Sequence, residues 1–194
     1  MRFDGRVALI TGAGRGIGAA TAQLFASEGA RVAISDLDEG PAREIAGPIG
    51  GLAIACDVSD RAPVDGMVEL TVKELGRLDI LVTCAGIIRD NLLFKMTDHA
   101  WHAVIDTHLK VTFLCARAVQ RHMVAHKSGK MVFLSSTSAL GNRGQITYSS
   151  AKAGPQGLAR TPALELGPYN ANANTVAPCS VDPRMPRAAP APRG

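Results

Sequence analysis

Thr11-Gly12-Ala13-Gly14-Arg15-Gly16-Ile17-Gly18 follows without a break on the apolar run Val7-Ala8-Leu9-Ile10 and opens into helical periodicity over residues 17–28. Glycines at this spacing let the backbone turn sharply and approach a pyrophosphate with no Cβ in the way, and the N–H groups of the helix start face the anion. A tight strand-to-helix turn without a ligand is the bland alternative, which the strand before the loop and the helix after it disfavour. Asp36 closes the next apolar run, Arg31-Val32-Ala33-Ile34-Ser35, 18 residues beyond Gly18. A carboxylate there accepts hydrogen bonds from adenosine ribose hydroxyls and repels a 2′-phosphate, which favours NAD. Arg15 inside the loop pulls toward NADP, because a cation near the ribose pairs with that phosphate, so NADP stays possible.

Working outward, short uniformly apolar runs alternate with longer stretches of helical period. The runs are 7–11, 31–35, Leu52-Ala53-Ile54-Ala55, Ile80-Leu81-Val82-Thr83, Met131-Val132-Phe133-Leu134-Ser135 and Asn174-Thr175-Val176-Ala177, with helices expected near 17–28, 39–47, 60–76, 99–126 and 147–166. Strands this short and apolar are buried on both faces. The alternation predicts an α/β fold of Rossmann type, a doubly wound parallel sheet. Residues 1–178 are expected to form one dinucleotide-binding domain and 179–194, rich in proline, an irregular tail.

Composition narrows the function classes. The 194 residues carry 21 Lys+Arg against 17 Asp+Glu, a formal net charge of +4 that is too small and dispersed for a nucleic-acid stripe. At 4% aromatic, the chain offers few stacking platforms for single strands. The longest apolar stretch, 78–88, is interrupted by Asp79 and Thr83 and falls short of the roughly 20 residues of a membrane span, so no membrane anchoring is expected. The amino terminus has no secretory-signal core, and Cys56, Cys84, Cys115 and Cys179 form no CxxC pair. A cytoplasmic protein with reduced thiols and no metal site is expected.

A second group of residues carries chemistry. Tyr148 and Lys152 stand four apart, one turn of a helix and hence on one face. A phenol titrates near 10, too high for easy proton exchange at neutral pH, and a neighbouring cation stabilises its anion. Such a pair is also common on solvated helix faces. Ser135, 13 residues before Tyr148, ends the fifth strand at the carboxyl edge of the sheet, where such folds place their ligands. Asp57 ends the third strand, where contact with adenine and a capping role for the next helix are equally open.

Taken together, Thr11 to Gly18, Asp57-Val58, Ala85-Gly86, Ser135, Tyr148-x-x-x-Lys152 and Asn174-x-Val176-Ala177-Pro178 resemble the short-chain dehydrogenase/reductase family in order and spacing over about residues 5–185. Arg89-Asp90-Asn91-Leu92-Leu93 and Gly141-Asn142-x-Gly144-Gln145-x-x-Tyr148 look more narrowly like 3-oxoacyl-thioester reductases and (3R)-hydroxyacyl-CoA dehydrogenases. The resemblance implies NAD(P)-dependent interconversion of a ketone and a secondary alcohol, most simply 3-oxoacyl and 3-hydroxyacyl thioesters. It implies Tyr148 as general acid and base, Lys152 lowering its pKa and holding the nicotinamide ribose, and Ser135 orienting the substrate oxygen. It also implies a cofactor site of Gly12, Gly14, Arg15, Gly16, Ile17, Gly18, Asp36, Asp57, Val58, Ala85, Gly86, Tyr148, Lys152 and Pro178. Family members commonly pair the helices around 99–126 and 147–166 with those of a neighbouring subunit, so a homo-oligomer, dimer or tetramer, is expected.

Four features depart from the family pattern. The family's catalytic Asn falls on His108, whose imidazole can donate and accept and so take over a proton relay; an adapted site and a lost one are the two readings. Thr83-Cys84 replaces a pair of Asn before Ala85-Gly86. Pro155 and Pro162 in the Tyr148 helix predict a kink near the site. Pro178-Cys179 replaces Pro-Gly, and the match is C-terminally truncated against the usual family length, which leaves the sixth strand as an exposed edge and the substrate pocket without a lid. A non-catalytic dinucleotide-binding homologue and a sugar, polyol or steroid dehydrogenase are therefore the competing functions.

Overall fold

A computed structural model describes residues 1–179. The proline-rich tail expected over 179–194 lies, apart from Cys179, outside the described residues. Six parallel strands, β1 (Val7–Thr11), β2 (Arg31–Asp36), β3 (Leu52–Ala55), β4 (Ile80–Thr83), β5 (Gly129–Leu134) and β6 (Ala171–Val176), form one sheet in the order β3-β2-β1-β4-β5-β6. The helices are α1 (Gly16–Ser27), α2 (Glu39–Ala46), α3 (Arg61–Leu75), α4 (Asp98–Ile105), α5 (Val111–His126) and α6 (Ile146–Leu166). This is the doubly wound architecture that the alternation predicts.

Each central strand is apolar because it is covered twice. Val7 and Leu9 of β1 face a core that includes Val64, Met67 and Val68 of α3, Leu114, Cys115 and Val119 of α5, and Ala159 and Leu166 of α6. Ala8 and Ile10, pointing the other way, pack with Ala22 of α1 and with Ala42 and Ala46 of α2. The two-residue period of the strand thus divides one run between two cores. Cover thins toward β6, which is an edge strand among the described residues. There Ala171 and Ala173 are buried while Asn172, Asn174 and Val176 are exposed.

The helix expected over 99–126 is divided. α4 and α5 are joined by a π-helical turn, Asp106–Lys110, centred on His108. Such turns widen the backbone spiral by one residue and re-aim the side chains on either side. The kink expected from Pro155 and Pro162 is corrected in one respect: α6 runs unbroken from Ile146 to Leu166 through both rings. Pro155 is buried against β6, where its carbonyl accepts a hydrogen bond from Thr175 Oγ1 at 3.3 Å, so tertiary contact offsets the lost helical bond.

The strand order reverses between β1 and β4. In open α/β sheets the crevice at the carboxyl ends of that pair is where ligands lie. The glycine loop after β1 and Cys84-Ala85 after β4 meet there.

Candidate active site

The loop after β1 is shaped by contacts that leave no room for side chains. A Cβ on Gly12, whose φ is +61°, would stand 2.5 Å from Ala85 Cα; on Gly14 it would meet Asp36 Oδ2 at 2.9 Å, and on Gly18 the Gly12 carbonyl at 2.5 Å. Gly16 also has positive φ, +58°, but faces open space. Arg15 sits at the N-cap of α1 with extended backbone, and no side chain caps the helix. The first-turn N–H groups are therefore left for an anion, and the loop fits a dinucleotide pyrophosphate. Ile17, in that first turn, is half-exposed beside the loop.

Asp36 ends β2 with its Oδ2 accepting the Gly14 N–H at 2.9 Å, so the carboxylate closes over the loop where a ribose belongs. Arg15 reaches outward to Asp38, 3.6 Å away, with both side chains exposed. Asp57 accepts from the Ser59 N–H (2.9 Å) and Oγ (2.7 Å), which holds its carboxyl below the usual range. The N-cap of α3 is Asp60. Asp57 thus shapes the turn beyond β3, and Val58 beside it is buried in the core. Ala85 N lies 3.5 Å from Thr11 Oγ1, tying the end of β4 to the glycine loop. Pro178 receives the Thr137 N–H on its carbonyl at 3.1 Å and so sits above the turn that follows β5.

The second half of the site is assembled on α6 and the π-turn. Lys152 is buried beneath Tyr148, its Nζ 5.7 Å from the phenol ring centre and donating to the Leu134 carbonyl at 2.7 Å. Burial lowers its pKa to about 8, with Cys84 opposing. His108 meets Tyr148 edge-on, ring centres 5.2 Å apart at 87°. Burial and the Lys152 charge push the imidazole pKa down to about 3, against the bond to Ile87, so the ring is neutral. Burial also pushes the Cys84 thiol up to about 12, leaving it protonated.

The expected place of Ser135 changes at this point. Ser135 does not face the tyrosine: its Oγ donates to the Lys152 carbonyl at 2.6 Å and accepts from Gln156 Nε2 at 3.0 Å. The serine hydroxyl that lowers the Tyr148 phenol pKa is that of Ser136, the next residue. β5 ends at Leu134, one residue before the strand end read from the sequence, and the turn that follows sets Ser135 against α6. Burial raises the phenol above its ordinary value, Ser136 pulls it down and the Asp90 carboxylate adds to the rise, so Tyr148 holds its proton at neutral pH.

Sequence reasoning also missed how the rim is closed. Asn91 and Gln145 form a parallel bridge, Asn91 N–H donates to the Gly144 carbonyl at 2.8 Å, and Gln145 Nε2 donates to Asp90 Oδ2 at 2.7 Å. The Arg89–Leu93 and Gly141–Tyr148 stretches, quoted separately above, are thus one structure beside the phenol. Among the described residues no three His, Cys, Asp or Glu side chains gather as metal ligands, and no helix is long and apolar enough to cross a membrane.

Comparison with known proteins agrees with this layout. The family model for short chain dehydrogenases matches residues 6–193. The chain is 46% identical over 177 residues to the short-chain reductase NovJ of Streptomyces niveus, covering 89% of this chain and 68% of that protein. It is 43% identical over 183 residues to BbsD of Thauera aromatica, a subunit of a hydroxy(phenyl)methylsuccinyl-CoA dehydrogenase, covering 92% and 74%. To the 3-oxoacyl-acyl-carrier-protein reductase FabG of Escherichia coli K12 it is 38% identical over 191 residues, covering 97% and 78%. Among solved structures, NAD+-bound xylitol dehydrogenase superposes with a TM-score of 0.89 at 29% identity, covering 92% of this chain and 72% of the other.

Proposed function

Because the chain belongs to the short-chain dehydrogenase/reductase family, whose members are NAD(P)-dependent oxidoreductases, we propose that it interconverts 3-oxoacyl and 3-hydroxyacyl thioesters, with NAD(H) preferred. The observation that carries the substrate class is the joined rim. Asp90-Asn91 and Gly144-Gln145, the stretches that look like thioester reductases, are bonded into one wall directly before Tyr148. The likeness to BbsD and FabG, both named for thioester substrates, supports the same class.

Gly12, Gly14, Gly16 and Gly18, the first turn of α1 with Arg15 and Ile17, Asp36 and Ala85 would hold the dinucleotide, with Asp57, Val58, Gly86 and Pro178 around its path. Held there, NAD(H) would supply the hydride chemistry at the substrate carbon. For its part, Tyr148 would give the substrate oxygen a proton from a phenol whose pKa burial and Asp90 raise. The Ser136 hydroxyl, on the phenol's side of the turn after β5, would orient the same oxygen, and the Lys152 ammonium beneath the ring would compensate negative charge as the proton leaves. Ser135 supports them by tying β5 to α6.

The NAD preference rests on charge: the Asp36 carboxylate occupies the ribose position while Arg15 is turned to Asp38. A homo-oligomer fits the same reading. Half-exposed Phe113, with Arg117 5.1 Å over its ring, and exposed Leu164 give α5 and α6 an apolar face of the kind that such subunits bury. A cytoplasmic setting completes the proposal.

Oxidation of NADH in the presence of an acetoacetyl thioester tests it, with xylitol and a keto-sugar as second arm because of the structural likeness to xylitol dehydrogenase. Tyr148→Phe should lower thioester turnover by about 100-fold or more, the span of a positioned proton donor, without shifting the melting temperature. No thioester turnover above that variant overturns the reading, and turnover confined to the polyol arm replaces it.

A further inference from the structure

His108 occupies the place where a proton carrier is expected, yet backbone takes up one of its two ring nitrogens. Nε2 lies 2.7 Å from the Ile87 carbonyl oxygen and 3.1 Å from the Ile87 nitrogen, so the backbone of one residue takes it up entirely. The shorter contact is to the carbonyl, and a proton on Nε2 satisfies it and puts the lone pair on Nδ1. Nδ1 is buried and has no partner. The ring edge between them faces Gly86, where a Cβ would overlap Cε1. His108's own carbonyl accepts the Thr112 hydroxyl at 2.7 Å. The titratable groups against the ring, Lys152 and Tyr148, both come from α6, and neither bonds to it.

A ring that relays a proton takes it at one nitrogen and releases it at the other. Here the Ile87 backbone takes one nitrogen, which leaves a single nitrogen for any relay. We propose that His108 is a positioning residue and not a proton carrier: its neutral ring keys the Gly86-Ile87 turn to the π-turn and holds the Tyr148 ring edge-on. The inference rests on Tyr148 as the proton donor, but its first test does not. Only Gly at position 86 leaves space for the imidazole, and the π-turn aims it there, so the three features make one device.

The first measurement is nitrogen NMR of the five histidines in the resting protein, with His108 assigned by difference from His108→Asn. A neutral Nε2–H ring that does not titrate between about pH 5 and 9 is expected, since the unperturbed value near 6.5 lies in that range. Titration there, or an Nδ1–H ring, overturns the proposal whether or not the protein turns over a thioester. The second is kinetic, in a protein already shown to exceed Tyr148→Phe. His108→Leu and Gly86→Ala should each lower kcat by about tenfold or more through misplacement of the tyrosine. The dissociation constant for NADH should stay within about twofold for His108→Leu, and His108→Asn, whose amide can still donate to Ile87, should restore most of the loss. Rescue of His108→Leu by added imidazole, or a solvent isotope effect that changes with it, marks a relay and overturns the proposal.

Discussion

The two edges of the same sheet are built on opposite plans. At the amino edge, buried Asp79 has both carboxylate oxygens filled: Arg77 donates to each at 2.7 and 2.6 Å, Arg6 to one at 3.0 Å and the Val7 N–H to the other at 3.0 Å. Burial pushes that carboxyl up, and the donors outweigh it and hold it below the usual range. At the carboxyl edge, Ser35 Oγ, Thr83 Oγ1, Asp90 Oδ1, His108 Nδ1 and Ser149 Oγ are buried without partners. Buried polar atoms are nearly always paired in a finished structure. The amino edge is complete in itself, whereas the carboxyl edge keeps polar atoms free for the ligands proposed above. The contrast also separates stability from activity, because a change at either edge should show mainly in one of the two.

The largest effect is expected at the glycine loop, where the carboxyl edge is as rigid as any core. In Gly12→Ala the new Cβ meets backbone at Ala85 on a residue with φ of +61°, so neither neighbour can move aside as a side chain would. Left-handed strain and overpacking together should cost about 3 kcal/mol or more. Calorimetric titration should show dinucleotide affinity falling by about 100-fold, alongside a lower melting temperature. Unchanged affinity would remove the loop from the cofactor site and weaken the division between the edges.

Lys152 sharpens the contrast through pH. Its folded pKa of about 8 lies below the 10.5 of the unfolded chain. Below pH 8 the ammonium is present in both states and its burial penalty is fully in force. Between about pH 8 and 10.5 the unfolded chain binds more protons, so stability rises with pH, and above both values the penalty is gone. Relative to Lys152→Met, which carries no such charge, the wild type should therefore gain up to about 3 kcal/mol across that window. Denaturant unfolding at several pH values measures it, and a flat difference would mean that the lysine is better solvated than its place beneath Tyr148 implies.

At the amino edge the expected sign is reversed. Asp79→Asn keeps one acceptor oxygen but removes the charge and turns an NH2 toward donors, and because both guanidinium groups reach water the loss should be about 2 kcal/mol and not the larger cost of breaking a sealed pair. The melting temperature should drop while thioester turnover at 25 °C holds. A matching loss of turnover would show that the two edges are not separable.

The same division explains what could be read from sequence. β1 to β4 were legible nearly to the residue, because uniformly apolar runs between turn residues leave few alternatives. β6 begins at Ala171, three residues before the reading from Asn174, because pairing of Gly129 and Lys130 with Ala171 and Asn172 imposes extension on residues with little strand preference. The π-turn at Asp106–Lys110 leaves no composition signal, since it depends on how α4 and α5 are each anchored to their neighbours. The glycine loop was legible because its chemistry is backbone geometry. Ser136 was not, because which of two adjacent serines faces Tyr148 is decided by where β5 ends.

The smallest expected effect tests whether the carboxyl edge reads charge as well as shape. Asp36→Asn keeps an oxygen for the Gly14 N–H, which the aspartate bonds at 2.9 Å, and removes only the negative charge. The loop should keep its form, and NADH should lose a few-fold in affinity as one charged acceptor becomes neutral. NADPH, no longer repelled at its 2′-phosphate, should gain, so that the NADH to NADPH affinity ratio falls by about tenfold, equivalent to about 1.4 kcal/mol. Adding Arg15→Ala separates the two charges. If Arg15 stays engaged with Asp38, 3.6 Å away, its removal leaves the ratio of the Asp36→Asn protein nearly unchanged; if it swings to the phosphate, the ratio returns toward NADH. A wild-type ratio already favouring NADPH would show that the arginine outweighs the aspartate and that the resting geometry at Asp36 is not the one the cofactor meets.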